Sequence, residues 1–155
     1  METESFLEAV RNRRKPRAII CDIDDTLCSE FARPIVEACR VMAAVDRAIE
    51  VHYVTARPEA SRAGTEQFIA DQRLPGRRNL HFCPTWKSSR THKMEVIQRL
   101  AKEYEVIVSI GDHDEDEQAS QAAGVPFVRV CYENLEQTWD HIAELIARNN
   151  CSSGS

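Results

Sequence analysis

Three short stretches of this chain place oxygen-rich side chains where apolar segments stop. Asp22–Ile23–Asp24–Asp25–Thr26 follows the apolar run Ala18–Cys21. Side chains two apart on an extended segment point the same way, so Asp22 and Asp24 are predicted to share one side. Two such carboxylates repel by ~4 kcal/mol at 4 Å and an effective dielectric of ~20. A fold keeps the pair where a cation or a shared proton offsets the repulsion, or where the two do acid and base work. The plain alternative is a turn rich in helix-capping acids. Thr55, in Val54–Thr55–Ala56–Arg57–Pro58, precedes a proline-opened helix whose free N–H groups and positive dipole end favour an anion. Thr is also a common N-cap. Arg57 beside it suits a substrate contact or one half of a surface ion pair. Asp112 to Glu117, after Gly111, are six consecutive polar residues of which five are acidic. That donor set suits a hard cation, although a solvated acidic first helical turn has the same composition. Each stretch alone is ordinary; all three on successive strand ends are hard to reach by chance.

The elements that must position these residues alternate. Arg17 to Asp22, Ile49 to Val54, Leu80 to Cys83, Val106 to Ile110 and Val125 to Cys131 have the short apolar character of buried strands. Between and after them, Pro34 to Ala48, Pro58 to about Leu74, Ser88 to Tyr104, Glu115 to Ala123 and Thr138 to Arg148 carry helical periodicity. Pro75–Gly76 breaks the second helix and Gly124 closes the fourth. Five strand–helix alternations imply an α/β fold, a doubly wound parallel five-stranded sheet with helices on both faces. Such sheets bind ligands outside the carboxyl ends of their strands, where the three polar stretches lie. Residues 17–150 form the predicted domain. Residues 1–16 are read as a helical and basic extension, and 151–155 as a disordered tail.

Of the 155 residues, 43 % are hydrophobic and 29 % charged, enough for one self-sufficient core. No apolar run approaches the ~20 residues that span a bilayer, and the N-terminal stretch lacks the apolar region of a secretory signal. A membrane protein is therefore not expected, and a reducing, cytoplasmic setting is. The six cysteines show no CxxC spacing and several sit in apolar runs, which favours buried thiols over a disulfide framework or a zinc site. The net charge of −5 conceals an asymmetry: residues 57–102 carry a local +6 and residues 103–155 a local −9.

Asp22–Ile23–Asp24–Asp25–Thr26 resembles motif I (DxDxT) of the haloacid dehalogenase superfamily. Thr55 matches the motif II Ser/Thr, and Gly111–Asp112 with Asp116 matches motif IV (GDxxxD). Lys93 fits motif III, with Lys87 as a competing candidate. The resemblance covers residues 17 to 131. It implies the flavodoxin-like strand order 3-2-1-4-5 and a Mg²⁺-dependent phosphatase working through an aspartyl-phosphate. Asp22 would then be the nucleophile and Asp24 the general acid and base. The metal would be held by Asp22, the Asp24 carbonyl and Asp112, with Asp116 in support. Thr55 and Lys93 would bind the phosphoryl group, and Arg57 could reach substrate. Leu27 to Arg33 and Pro84 to Arg90 are too short to hold a cap domain. The open plan, with Thr55–Ala56–Arg57, looks most like the phosphatase domain of polynucleotide kinases. A phosphomonoester at nucleic-acid ends, and a kinase or ligase partner, are implied. A phosphatase of small metabolites or nucleotides, and a non-catalytic phosphate-binding module of the same fold, remain as alternatives.

Other residues invite plainer readings. His113 is expected as an exposed loop side chain, and His52, His81 and His92 as strand or helix residues without metal spacing. Cys21 is expected to face away from Asp22 and pack. Trp86 could border the site or close a buried loop. A long polyanion is expected to leave the site over Arg57, Arg62, Lys87 and Arg90, with Arg77 and Arg78 as secondary members of the same flank.

Overall fold

The computed structural model describes residues 15–152. Its main sheet is built from β1 (Arg17–Cys21), β4 (Glu50–Val54), β5 (Leu80–His81), β6 (Glu105–Gly111) and β7 (Phe127–Arg129). These run parallel in the order β5-β4-β1-β6-β7, the predicted 3-2-1-4-5 arrangement with β1 at the centre. Two short antiparallel strands, β2 (Cys28–Ser29) and β3 (Arg33–Pro34), form a hairpin directly after the first polar stretch. The helices are α1 (Val36–Ala43), α2 (Arg62–Asp71), α3 (Ser89–Glu103), α4 (Asp114–Ala123) and α5 (Leu135–Ser152). Neither the hairpin nor the segment between β5 and α3 holds a cap. No helix among the described residues is long and apolar enough to cross a membrane.

Alternation along β1 distributes its side chains between two cores. Ile19 and Cys21 join the larger cluster, with Met42 of α1, Phe68 and Ile69 of α2, and Trp139 and Ile142 of α5. Ile20 faces the other way, into Val96, Ile97 and Leu100 of α3 and Ala119 of α4. Cys21 is thus fully buried opposite the α3 side, as expected. Each core side chain of this size contributes roughly 1.5–3 kcal/mol when fully buried, so the strand is pinned from both faces.

Boundaries differ from the sequence reading where backbone pairing intervened. Helix α1 starts later than Pro34 because Arg33 and Pro34 are taken by the hairpin, and the Ile35 N–H goes to the Leu27 carbonyl (2.8 Å). Pro58 opens a 3₁₀ turn over Glu59–Ser61 rather than α2 itself, so Thr55 does not sit against the end of a long helix dipole. Helix α5 begins at Leu135 and runs to Ser152, beyond both predicted limits, and buries one stripe of Trp139, Ile142 and Ile146. The extension predicted over 1–16 falls almost wholly outside the described residues. So do residues 153–155 of the predicted tail. Four of the cysteines, Cys21, Cys28, Cys39 and Cys83, are buried thiols, whereas Cys131 is exposed.

Candidate active site at the carboxyl edge of the sheet

Asp22 is the first residue beyond β1, and its N–H donates to the Ile110 carbonyl of β6 (2.9 Å). That bond places it beside the end of β6, where Asp112 follows Gly111 and Asp116 lies in the first turn of α4. One carboxylate oxygen from each of Asp22, Asp112 and Asp116 falls within 4.8 Å of the others. From the α3 side the Lys93 ammonium lies 2.7 Å from Asp116 Oδ1 and 3.6 Å from Asp22 Oδ1. Asp22, Lys93 and Asp116 are all buried. Three carboxylates therefore face one ammonium, a formal −2 that a divalent cation would cancel. The donors are all oxygen, which suits a hard ion and not zinc, so the cluster can hold such a metal.

The electrostatics follow from this crowding. Burial pushes the Asp22 carboxyl well above its ordinary range, neighbouring Asp116 adds to the effect, and Lys93 opposes it. Asp112 is raised as well, chiefly by burial. Burial alone would lower Lys93, but the Asp22 and Asp116 carboxylates outweigh it and hold the ammonium above its usual value. Lys87, the competing lysine, pairs instead with Glu95 at the surface.

Asp116 is aimed from both oxygens. Oδ1 accepts from Lys93, and Oδ2 accepts from the His113 N–H (3.2 Å). His113, exposed as expected, closes a capping box by accepting from the Glu115 N–H (3.2 Å). Gly111 makes the close approach possible: a Cβ there would lie 2.5 Å from Asp116 Oδ2.

Asp24 goes elsewhere. A turn opens at Ile23, whose carbonyl accepts from the N–H groups of Thr26, Leu27 and Cys28, and Asp24 bridges to Cys28. The Asp24 carboxylate is not part of the cluster of Asp22, Asp112 and Asp116. Asp24 is instead gripped by Arg57, with Nε 2.9 Å from Oδ2 and Nη2 2.7 Å from Oδ1. Arg57 is buried, and its remaining donors go to Thr65 Oγ1 (3.0 Å) and the Phe31 carbonyl (2.7 Å). The hydrogen bond to Asp24 raises Arg57 above its usual value. The arginine thus commits its guanidinium to protein partners. The Asp24 carbonyl accepts no hydrogen bond from any described residue, which leaves it open as a ligand.

Thr55 is fully buried; its N–H donates to the His81 carbonyl (3.2 Å) and its Oγ1 accepts from the Arg57 N–H (3.1 Å). The hydroxyl proton is left uncommitted among the described residues. Sequence reasoning assigned no role to two residues that support this site. Thr26, fully buried, donates to Asp112 Oδ1 (3.3 Å), and its signal was the threonine of the DxDxT pattern itself. His92 is buried in α3 with Nε2 3.0 Å from the His81 carbonyl, tying α3 to the strand end that also holds Thr55; no spacing rule pointed to it. Of the expected basic flank, Arg62 pairs with Glu59 and Glu66, and Lys87 with Glu95.

No family model matches the sequence, and no curated protein matches it. Solved structures do resemble the fold. A chain in the structure of a Pnkp1/Rnl/Hen1 complex superposes with a TM-score of 0.64 at 18 % identity, over 76 % of this chain and 46 % of that one. The class C acid phosphatase from Bacillus anthracis gives 0.55 at 12 % identity, over 96 % of this chain and 85 % of that one. The same enzyme with tungstate bound gives 0.56. This chain spans about half the length of the first of these neighbours and most of the second. The shared feature is the doubly wound α/β sheet.

Proposed function

We propose that this chain is a Mg²⁺-dependent phosphomonoesterase that works through an aspartyl-phosphate on Asp22. The observation carrying this reading is the buried cluster of Asp22, Asp112 and Asp116 with Lys93 at the central carboxyl edge. Asp22, Asp112 and the Asp24 carbonyl would hold the metal, with Asp116 and Thr26 orienting that set. When bound, Mg²⁺ supplies the counter-charge that lets an anionic phosphate approach an anionic nucleophile.

The residues divide the work by position. An Asp22 oxygen attacks phosphorus and displaces the alcohol oxygen of the substrate. Asp24, once it has taken up a proton on a lone pair that the Arg57 fork leaves free, gives that proton to the leaving oxygen, then recovers one from the water that cleaves the acyl phosphate. Arg57 aims the Asp24 carboxylate through a fork that fixes both oxygens, each of which keeps a second lone pair. In this reading Arg57 is a positioning residue rather than a substrate contact. Lys93 and the Thr55 hydroxyl receive the phosphoryl oxygens. The absence of a cap and the likeness to a chain from a multi-protein Pnkp1/Rnl/Hen1 complex support a substrate at nucleic-acid ends and a partner chain acting alongside.

Replacing Asp22 by Asn tests the proposal, since it removes the attacking charge and little volume. Turnover of glycerol 2-phosphate by the folded variant is expected to fall by roughly 10⁴-fold or more, the scale on which losing a nucleophile acts. EDTA is expected to abolish wild-type turnover and Mg²⁺ to restore it. Near-normal activity in the Asn variant would refute the covalent step. Phosphate binding without turnover would leave the non-catalytic module as the better description.

A further inference from the structure

Large exposed hydrophobic side chains of the described residues stand on several segments that follow the carboxyl ends of the strands. The large hydrophobic side chains left open are Phe31 (79 % exposed), Trp86 (82 %), Tyr132 (50 %) and Val36. Three of the four are aromatic. Each stands on a segment leaving the carboxyl edge: Phe31 on the hairpin after β1, Trp86 on the loop after β5, Tyr132 on the 3₁₀ turn after β7. Each segment is also fastened to a residue of the site. The Phe31 carbonyl accepts from Arg57 Nη2 (2.7 Å), the same nitrogen that grips Asp24. The loop that carries Trp86 begins where the Cys83 N–H donates to the Arg57 carbonyl (2.9 Å). The Tyr132 hydroxyl lies 3.3 Å from Asp25 Oδ1, next to Asp24 in the chain.

Three of the cations expected to guide a polyanion are held by acids: Arg57 by Asp24, Arg62 by Glu59 and Glu66, and Lys87 by Glu95. The fourth, Arg90, is exposed. The pairing shifts part of the recognition beyond the phosphate from charge to aromatic surface. Trp86 also walls an apolar cleft of about 410 Å³ with Phe82, Pro84 and Glu59. Phe82 is backed by the Arg62 guanidinium, 4.6 Å from the ring centroid.

We propose that Trp86, on the rim of this cleft, forms a stacking subsite for the nucleobase of the group that carries the scissile phosphate. The inference rests on the phosphomonoesterase reading for the position of that phosphate. Stacking on an aromatic face tolerates every base, so the subsite would distinguish nucleotides from sugar or glycerol phosphates without choosing a sequence.

The test compares Trp86→Ala, Trp86→Phe and wild type on adenosine 3′-monophosphate, a 3′-phosphorylated oligonucleotide and glycerol 2-phosphate. Trp86→Ala is expected to lower kcat/KM about ten-fold on the base-bearing substrates, in line with the loss of one stacking contact. Its rate on glycerol 2-phosphate is expected to stay at the wild-type value, and Trp86→Phe to keep most of the preference. Loss on the oligonucleotide places the subsite at nucleic-acid ends; loss on the mononucleotide alone places it with free nucleotides. Equal losses on all three substrates, or none, would overturn the subsite while leaving the phosphatase intact. A binding readout is independent of turnover. Trp86 is exposed and Trp139 is buried, so in the Asp22→Asn protein adenosine 3′-monophosphate is expected to quench the exposed indole and glycerol 2-phosphate is not. Quenching in a protein that hydrolyses nothing would keep the subsite and end the phosphatase reading, and no quenching would end the subsite.

Discussion

Asp22 and Asp24 are two residues apart, yet they sit in opposite electrostatic settings. Asp22 is buried against two further carboxylates and shares one lysine with Asp116. Asp24 is 40 % exposed and holds an arginine to itself through both oxygens. The first setting stores repulsion that a divalent cation relieves; the second is neutral as it stands and fixes a carboxylate in one plane. A nucleophile that needs a metal, and an acid or base that needs only aim, would call for these two surroundings. The turn at Ile23 separates them, sending Asp22 toward α3 and α4 and Asp24 toward α2.

Removing Arg57 attacks the Asp24 half alone. Arg57→Ala is expected to lower turnover by roughly 10²-fold or more, the lower range for general acid–base catalysis. The Mg²⁺ concentration for half-maximal rate should not move. A stability loss of about 2 kcal/mol is expected, below the ~3–5 kcal/mol of a fully buried pair because Asp24 is partly solvated. Arg57→Lys should recover stability better than rate, since an ammonium cannot make the two-pronged contact. A shift in the Mg²⁺ titration with either variant would mean that the two halves are not separate.

Gly111→Ala attacks the other half. Its Cβ would meet Asp116 within bonding-excluded distance (2.5 Å to Oδ2), so Asp116 must swing away from Lys93 and His113. Outer-shell disturbances of this kind cost ~10–100-fold in metal affinity. The half-saturating Mg²⁺ concentration is expected to rise by that order, with the rate at saturating Mg²⁺ less affected. An unchanged titration would show that Asp116 takes no part in holding the ion.

The smallest effect concerns the strand end that supports Thr55. Burial pushes His81 down to about 4, with the adjacent His52 and Arg99 adding to the shift. His52 Nδ1 lies 2.9 Å from His81 Nε2. A folded value below the unfolded one means that the unfolded chain binds more protons between them. The stabilising contribution is therefore present above about pH 6.5 and lost as pH falls toward 4. Thermal melts should show the midpoint falling across that window, and His81→Gln should flatten the dependence. An equally steep fall in the variant would assign it to His52 and His92, which burial also lowers.

Much of the fold was legible in the chain because it rests on local patterns. Ala18 to Cys21 and Ile107 to Ile110 are apolar on both faces, as strands buried between two helical layers must be. Ser88 and Gly124 mark caps by their chemistry: Ser88 accepts from the Thr91 N–H (3.1 Å), and Gly124 ends α4 at φ 71°. The hairpin over Cys28 to Pro34 was not legible. Its strands are two residues each, and Glu30 and Phe31 adopt positive φ of 49° and 69° without a glycine to announce it.

The site divides along the same line. Sequence alone determined which residues stand at the ends of the central strands, because buried runs end where polar residues begin and parallel sheets gather those ends on one edge. That was enough to name Asp22, Asp24, Thr55, Asp112 and Asp116, while Lys93 came from the family resemblance, with Lys87 beside it. Only the tertiary structure decided how they pair. Whether Lys87, in the loop before α3, or Lys93, on its buried face, meets the carboxylates depends on how α3 packs, and it is Lys93 that lies against Asp22 and Asp116. Whether Arg57 faces solvent or Asp24 depends on the turn that opens at Ile23 and brings Asp24 over to it. Hydrogen bonds and ion pairs act over about 3–4 Å between segments far apart in sequence, and no local pattern encodes which donor arrives within that reach.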